Sequence, residues 1–334
     1  EITYGDWSSD VCSSDLGDES FFRGPPLGSE WTWGDLQRYY GAEASALTVQ
    51  DNVVDLVFRP GPKPGAPCLI QTLPPTSYLA FDNRTRTVAS NAPTDLQLYR
   101  PLGQTVVHLS GAIALGSNVT DAVAVPRPAL WFVTLLREAL QRRGIQVGGG
   151  VRAVDWLERQ AHPVDLHQLV EVAAVESRPV SEILPRMLKP SQNLYAHLLL
   201  LQVGARAGGG TADGPVEPAT EDLGLAELRR FLDGAGIARE ETRLEEGAGL
   251  SRAALVTPKS AARAKSGRTA ISCRTKLALE ITAPKPGMVR RSRSKAVAVC
   301  CKTKGSSPVS ITKYFSPEAP RPTLMRMPGM SEII

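Results

Sequence analysis

At 334 residues the chain can hold two or three ordinary domains, and its 42% hydrophobic content is typical of globular proteins. Its longest apolar stretches, around Leu198–Val203 and Ala129–Leu136, fall short of the roughly 20 residues of a membrane span, which excludes a transmembrane helix; no basic-then-apolar start marks a signal peptide. The net charge of +4 averages two unlike regions: 21 basic against 31 acidic residues up to Ser251, then 17 basic against 3 acidic from Arg252 onward.

In chain order, residues 1–16 read as a non-native leader, because DVCSSDL (Asp10–Leu16) is what one reading frame of a widely used sequencing adapter encodes. Residues 17–176 carry many short β-type runs, such as ALTVQDNVVDLVF (Ala46–Phe58) and TVVHLSGAIAL (Thr105–Leu115), broken by Pro and Gly. That pattern predicts a β-rich module. Inside it, RPALWFVTLLREALQRRGI (Arg127–Ile145) repeats Leu130, Phe132, Leu135, Leu136 and Leu140 at helical spacing, with Gly144 as its C-cap and the stripe facing a core. EWTWGDL (Glu30–Leu36) sets two indoles at alternate positions; they can stack on sugar rings, but packing in a core or domain interface is the commoner use of such rings.

From Ser177 the pattern is helical: SRPVSEILPRMLK with Ser181 as a cap, then QNLYAHLLLLQVGA, then PATEDLGLAELRRFLDGAGI ending near Gly234 and Gly236. The break KPSQN lies between the first two. Pro190 disfavours helix at Lys189, and Ser191 can cap the helix that follows, so a capping role alone accounts for Ser191. Four histidines without tight spacing and cysteines at 12, 68, 273, 300 and 301 give no metal site; no cofactor is expected, nor a disulfide for Cys68. Residues 259–334 are basic and nearly free of leucine, with only Leu277, Leu279 and Leu324 after Leu255, and read as a disordered or non-native tail. Its RRSRSK run (Arg290–Lys295) could meet phosphates by charge alone, but no aromatic residue interleaves it, so no nucleic-acid partner is expected.

Three stretches, in order, are GDESFFRGPPLGSEWTWGDLQRYYGAEASALTVQDN (Gly17–Asn52), MLKPSQNLYA (Met187–Ala196) and GAGLSRAALVTP (Gly247–Pro258). Together they resemble the penicillin-binding protein 4 family of serine D-alanyl-D-alanine carboxypeptidases and endopeptidases, over about residues 17–258. The resemblance implies an α+β fold: the helical half of a penicillin-recognising (serine β-lactamase/transpeptidase-like) domain in 177–258, with a β-rich inserted domain in 17–176, truncated at both ends. It implies peptidoglycan stem peptides ending in D-Ala-D-Ala as substrates, β-lactams as inhibitors of the intact parent, a periplasmic or extracytoplasmic location, and no metal or other cofactor. Of the family's three catalytic elements, Ser-x-x-Lys, Ser-x-Asn and Lys-Thr-Gly, the second is Ser191-Gln192-Asn193. The resemblance gives the Ser191 hydroxyl a role in relaying a proton between the catalytic Lys and the leaving amine, and the Asn193 amide a role in holding that Lys and a substrate carbonyl.

Departures from the family pattern are His197 in place of Glu, Glu246 in place of Asp, and Ala248 in place of Ser. Between Gly17 and Pro258 there is no Ser-x-x-Lys. The matches at Ser292–Lys295 and Ser310–Lys313 stand in the wrong order, and KSG (Lys265–Gly267) and KTKG (Lys302–Gly305) make poor Lys-Thr-Gly strands. The chain itself is therefore expected to be inactive. The rival expectation is a non-catalytic wall-binding or scaffolding protein that keeps the Ser-x-Asn loop as a relic.

Overall fold

The structure, a computed structural model, describes residues 15–145, 147–163, 174–175, 177–208 and 218–261. Most of the leader, the basic tail from 262 on, RRSRSK, KSG, KTKG and the two Ser-x-x-Lys matches of the tail lie outside the described residues. So do four of the five cysteines.

The β-rich part is built on two three-stranded sheets. In the first, β2 (Val53–Arg59) is central, antiparallel to both β3 (Leu69–Leu73) and β7 (Val119–Ala124). Its alternation is that of a half-buried strand: Val54, Leu56 and Phe58 are wholly buried while Asp55 and Arg59 face out. In the second, β6 (Val106–Ala114) runs parallel to β4 (Ala80–Val88) and antiparallel to β5 (Asp95–Tyr99), and contributes Val107, Leu109 and Ile113 to the same core. Helix α1 (Pro128–Arg142) closes this core with Trp131 and Leu135.

α1 ends as its sequence predicts. Gly144 takes φ 76°, its N–H bonds Gln141 O at 2.9 Å, and Ile145 N–H bonds Leu140 O at 3.0 Å, the paired bonds of a Schellman termination. The predicted apolar stripe is only partly the buried one. Leu135 is buried, but Leu130, Phe132, Leu136 and Leu140 are half-buried, and Pro128, Ala129, Trp131, Val133 and Ala139 fill the remaining buried positions. The reason is that α1 is covered on a second side by β1 (Asp15–Asp18) and β8 (Val151–Val154), which pair in parallel. A helix packed on two sides buries more than one stripe. The run Ala46–Phe58 is likewise not a single strand. Gln50, Asp51 and Asn52 all have φ near 53°, forming a left-handed turn before β2 begins.

A short helix, α2 (Trp156–Ala161), follows β8, capped by Asp155. Beyond it are α3 (Val180–Leu188), α4 (Asn193–Ala207), α5 (Thr220–Gly234) and the small pair β9 (Thr242–Arg243) and β10 (Leu255–Val256). α4 and α5 cross backbone to backbone. A Cβ on Gly204 would lie 1.9 Å from Thr220 O, and one on Gly224 2.5 Å from Leu200 O.

The N-terminal stretch packs on these helices. Arg23 and Thr220 exchange two hydrogen bonds of 2.8 Å, and Phe22 and Ala44 join Ile183, Leu194, Tyr195, Leu198 and Leu201 in a second apolar cluster. Residues 20–52 thus touch the helical unit directly.

Candidate active site

The expected site residues sit on the turn between α3 and α4. Two expectations about that turn are corrected. Lys189 keeps helical dihedrals (φ −66°, ψ −51°) despite the following Pro190, and its N–H still reaches Pro185 O at 3.1 Å. Helical geometry therefore persists to Lys189, and the chain departs from it sharply at Ser191, with φ 59°. Nor does Ser191 cap α4: the N-cap is Gln192, whose side-chain oxygen accepts from Leu194 N–H at 3.1 Å. Ser181 is not a cap either, since α3 starts at Val180 behind Pro179.

Gln192 N–H bonds back to Met187 O at 2.8 Å. That bond makes Ser191 the left-handed residue that terminates α3, a place where glycine is the usual occupant because a Cβ there costs about 1–2 kcal/mol. Ser191 is exposed, and no described residue hydrogen-bonds its hydroxyl. Its side chain thus serves neither cap nor core. A strained serine presented to solvent is the kind of outlier from which a functional role is argued.

Asn193, the first residue of α4, is half-buried and donates from Nδ2 to Tyr40 O at 3.1 Å. An amide has two N–H donors and a carbonyl. The bond to Tyr40 fixes the plane of the group and leaves one N–H and the oxygen to act outward.

The turn is braced by residues the sequence did not single out. Asp51, in the left-handed turn 50–52, accepts from Gln192 Nε2 at 3.1 Å and from Tyr195 Oη at 2.8 Å. Burial, with the Asp51 charge adding to it, raises the Tyr195 phenol above its ordinary pKa, so it is a donor across the working pH range. Asn52, wholly buried, locks the turn from behind by donating to Glu43 O at 2.8 Å and accepting from Val49 N–H at 3.2 Å. The one signal in the sequence was QDN itself, since Asp and Asn tolerate left-handed backbone better than other side chains.

His197 lies one turn into α4, 1% exposed, under the Trp31 ring at 5.6 Å. Trp31 thus packs between segments, as expected of it, while its neighbour Trp33 is 71% exposed. Burial holds the imidazole below its ordinary pKa, opposed by the nearby Glu246, so it is neutral at pH 7 and above. Its Nδ1 stands 3.8 Å from Glu221 Oε1, and both atoms are buried without a hydrogen-bond partner. With a neutral ring at that distance the two do not form an ion pair. Glu246, in place of the family's Asp, accepts from the backbone N–H groups of Ala248, Leu250 and Ser251 and so shapes the GAGLSR loop.

Burial raises Glu221 above its unfolded value of 4.5, against a 2.8 Å bond from Ser29 that lowers it. A raised carboxyl contributes stability fully below the unfolded value and loses it as pH rises through the folded one. Glu221→Gln removes that loss. The gap in melting temperature between variant and parent is therefore expected to widen in the variant's favour from pH 4.5 to pH 8, as the parent's carboxyl ionises in its buried place. Thermal unfolding at both pH values checks it; a constant gap would contradict it.

Among the described residues no cluster of His, Cys, Asp or Glu could hold a metal, and no helix is long and apolar enough to cross a membrane. The D-alanyl-D-alanine carboxypeptidase of Actinomadura sp. (strain R39) is 29% identical over 248 residues, 72% of this chain and 43% of that protein. The chain thus spans less than half the length of this curated relative. The crystal structure of penicillin binding protein 4 (dacB) from Haemophilus influenzae is 21% identical with a TM-score of 0.58, covering 81% of this chain and 56% of that one, which shows the shared α+β fold. The family described as D-Ala-D-Ala carboxypeptidase 3 (S13) matches residues 10–265, well over half of the chain, and the chain belongs to it.

Proposed function

We propose that this chain carries the Ser-x-Asn element of a serine D-Ala-D-Ala carboxypeptidase or endopeptidase that works on peptidoglycan stem peptides in an extracytoplasmic compartment. The observation that carries the reading is Ser191 at a left-handed, glycine-type position, exposed and serving neither as cap nor as core. Family membership supports the same reading. In the reaction, the hydroxyl of the Ser-x-x-Lys serine attacks the carbonyl of the penultimate D-Ala, the amide C–N bond breaks, and the terminal D-Ala leaves as an amine; water then hydrolyses the acyl-enzyme. Ser191 Oγ passes the proton from the Lys of that element to the leaving nitrogen, and Asn193 orients the Lys and the substrate amide. The β-rich inserted part, expected over 17–176, is narrowed in this reading to 53–154, because Phe22, Arg23 and Ala44 pack on the helical unit, and 177–258 belong to the catalytic unit.

Groups that act as a unit are strongly non-additive, so a chain without the nucleophile retains no weak residue of the chemistry. The test is labelling with a fluorescent penicillin, followed by intact-mass measurement. A full-length enzyme that joins this segment to a Ser-x-x-Lys element is expected to take up one equivalent on that serine. Residues 1–334 alone are expected to take up none. An adduct at Ser292 or Ser310 would show the tail to be a catalytic element; a full-length enzyme that neither labels nor releases D-Ala would remove the enzymatic reading.

A further inference from the structure

We propose that Asp51 is a positioning residue for the Ser191–Asn193 turn, its carboxylate setting the direction in which the Ser191 hydroxyl and the Asn193 amide point. The inference rests on the proposed function for its catalytic consequence, but not for its geometry. Two strained backbone segments meet here: the left-handed turn Gln50–Asn52 and Ser191, itself at φ 59°. Neither is a conformation that these residues adopt by preference, so each persists because its surroundings over-determine it.

Asp51 links them. One carboxylate oxygen accepts from Gln192 Nε2 at 3.1 Å, the other from Tyr195 Oη at 2.8 Å. Gln192 is the residue between the two site residues, and its side-chain oxygen also holds Leu194 N–H at 3.1 Å, so its amide is fixed at both ends. Tyr195 is buried in the apolar cluster of α4 and cannot swing away. The carboxylate therefore grips the turn at one residue after Ser191 and two residues after Asn193, while Tyr40 O holds Asn193 from the same N-terminal segment. Asn52 anchors Asp51 in turn through Glu43 O and Val49 N–H. Charge-assisted bonds of this kind are stronger and more directional than neutral ones, which suits a group whose task is to fix an angle.

The first measurement uses the chain as it stands. Amide exchange over Lys189–Tyr195 is compared in the parent, Asp51→Asn and Tyr195→Phe. Each variant is expected to exchange about 10-fold faster in that segment, the worth of one lost hydrogen bond, with protection of β2 and α1 unchanged. Unchanged exchange in the turn in both variants would overturn the proposal. If Asp51→Asn fails to fold, Tyr195→Phe still decides, because it removes only a hydroxyl and leaves the 50–52 turn intact.

The second measurement uses a full-length enzyme that supplies the Ser-x-x-Lys element. Asp51→Asn is expected to lower the first-order acylation step by a penicillin about 10- to 100-fold, as a displaced reacting group does, with the non-covalent binding constant unchanged and partial recovery in Asp51→Glu. A loosened turn with full acylation would overturn the positioning role. A parent enzyme that is not acylated at all would instead sink the proposed function, and the exchange data would still judge the clamp.

Discussion

In a full-length enzyme that supplies the Ser-x-x-Lys element, Ser191→Ala and Asn193→Ala are each expected to lower acylation by a penicillin by about 10² to 10⁴-fold, the usual worth of a positioned proton-transfer or orienting group. Both side chains lie on an open turn, so neither truncation leaves a core cavity; Asn193 loses only its bond to Tyr40 O. A third variant separates chemistry from backbone. Ser191→Gly relieves the left-handed strain at φ 59° and is expected to stabilise the turn by up to about 1 kcal/mol, yet to lose acylation as fully as Ser191→Ala. A structural serine would behave the other way, with glycine active. Stopped-flow acylation and thermal unfolding of the three variants decide between them, and wild-type rates in Ser191→Gly would reduce Ser191 to a helix terminator.

The second large effect is expected at the crossing of α4 and α5. Gly204→Ala sets a methyl carbon 1.9 Å from Thr220 O and 2.7 Å from Gly224 N, both backbone atoms that cannot rotate aside. Helix propensity favours the alanine by about 1 kcal/mol, and the forced separation of the helices costs about 3 kcal/mol or more, so the net is a loss of about 2 kcal/mol or more. In a unit of this size that is a fall in melting temperature of about 5 °C or more. The disturbance also reaches neighbouring contacts, because Thr220 ties α5 to Arg23 and Glu221 lies beside His197. A variant as stable as the parent would show that the helices have slack that the structure does not.

The helices were legible in the sequence, and the candidate site's place on a turn between two of them was legible too. The α1 helix, its Gly144 terminus and the three later helices were legible because their signals are local: periodicity, glycine at the C-terminal end, a Pro in the break. The family motifs led to Ser191 and Asn193. Most of what was not legible was non-local. Nothing near Ser191 says that Gln192, and not the serine, caps α4, since that depends on an amide held in place by Asp51. The Ala46–Phe58 run read as β-type throughout, but a turn at Gln50–Asn52 interrupts it; that turn is local, held by the buried Asn52 through Glu43 O and Val49 N–H, and QDN was its only sign in the sequence. The stripe on α1 was misjudged for a non-local reason, as β1 and β8 cover a second side that a single helix cannot announce.

The bonds that brace the Ser-x-Asn turn join residues 141 to 153 positions apart in the chain. Each closes a loop that contains the whole β-rich part, and closing it sets an entropy cost that no neighbouring contact in the sequence offsets. The helical hairpin α3–α4 supplies its own backbone bonds at the turn, and the N-terminal segment adds the side-chain bonds that hold Gln192, Asn193 and Tyr195. The aim of the Ser191–Asn193 turn is therefore a property of the whole topology and not of the helical hairpin alone, because the groups that hold it come from the other side of the β-rich part.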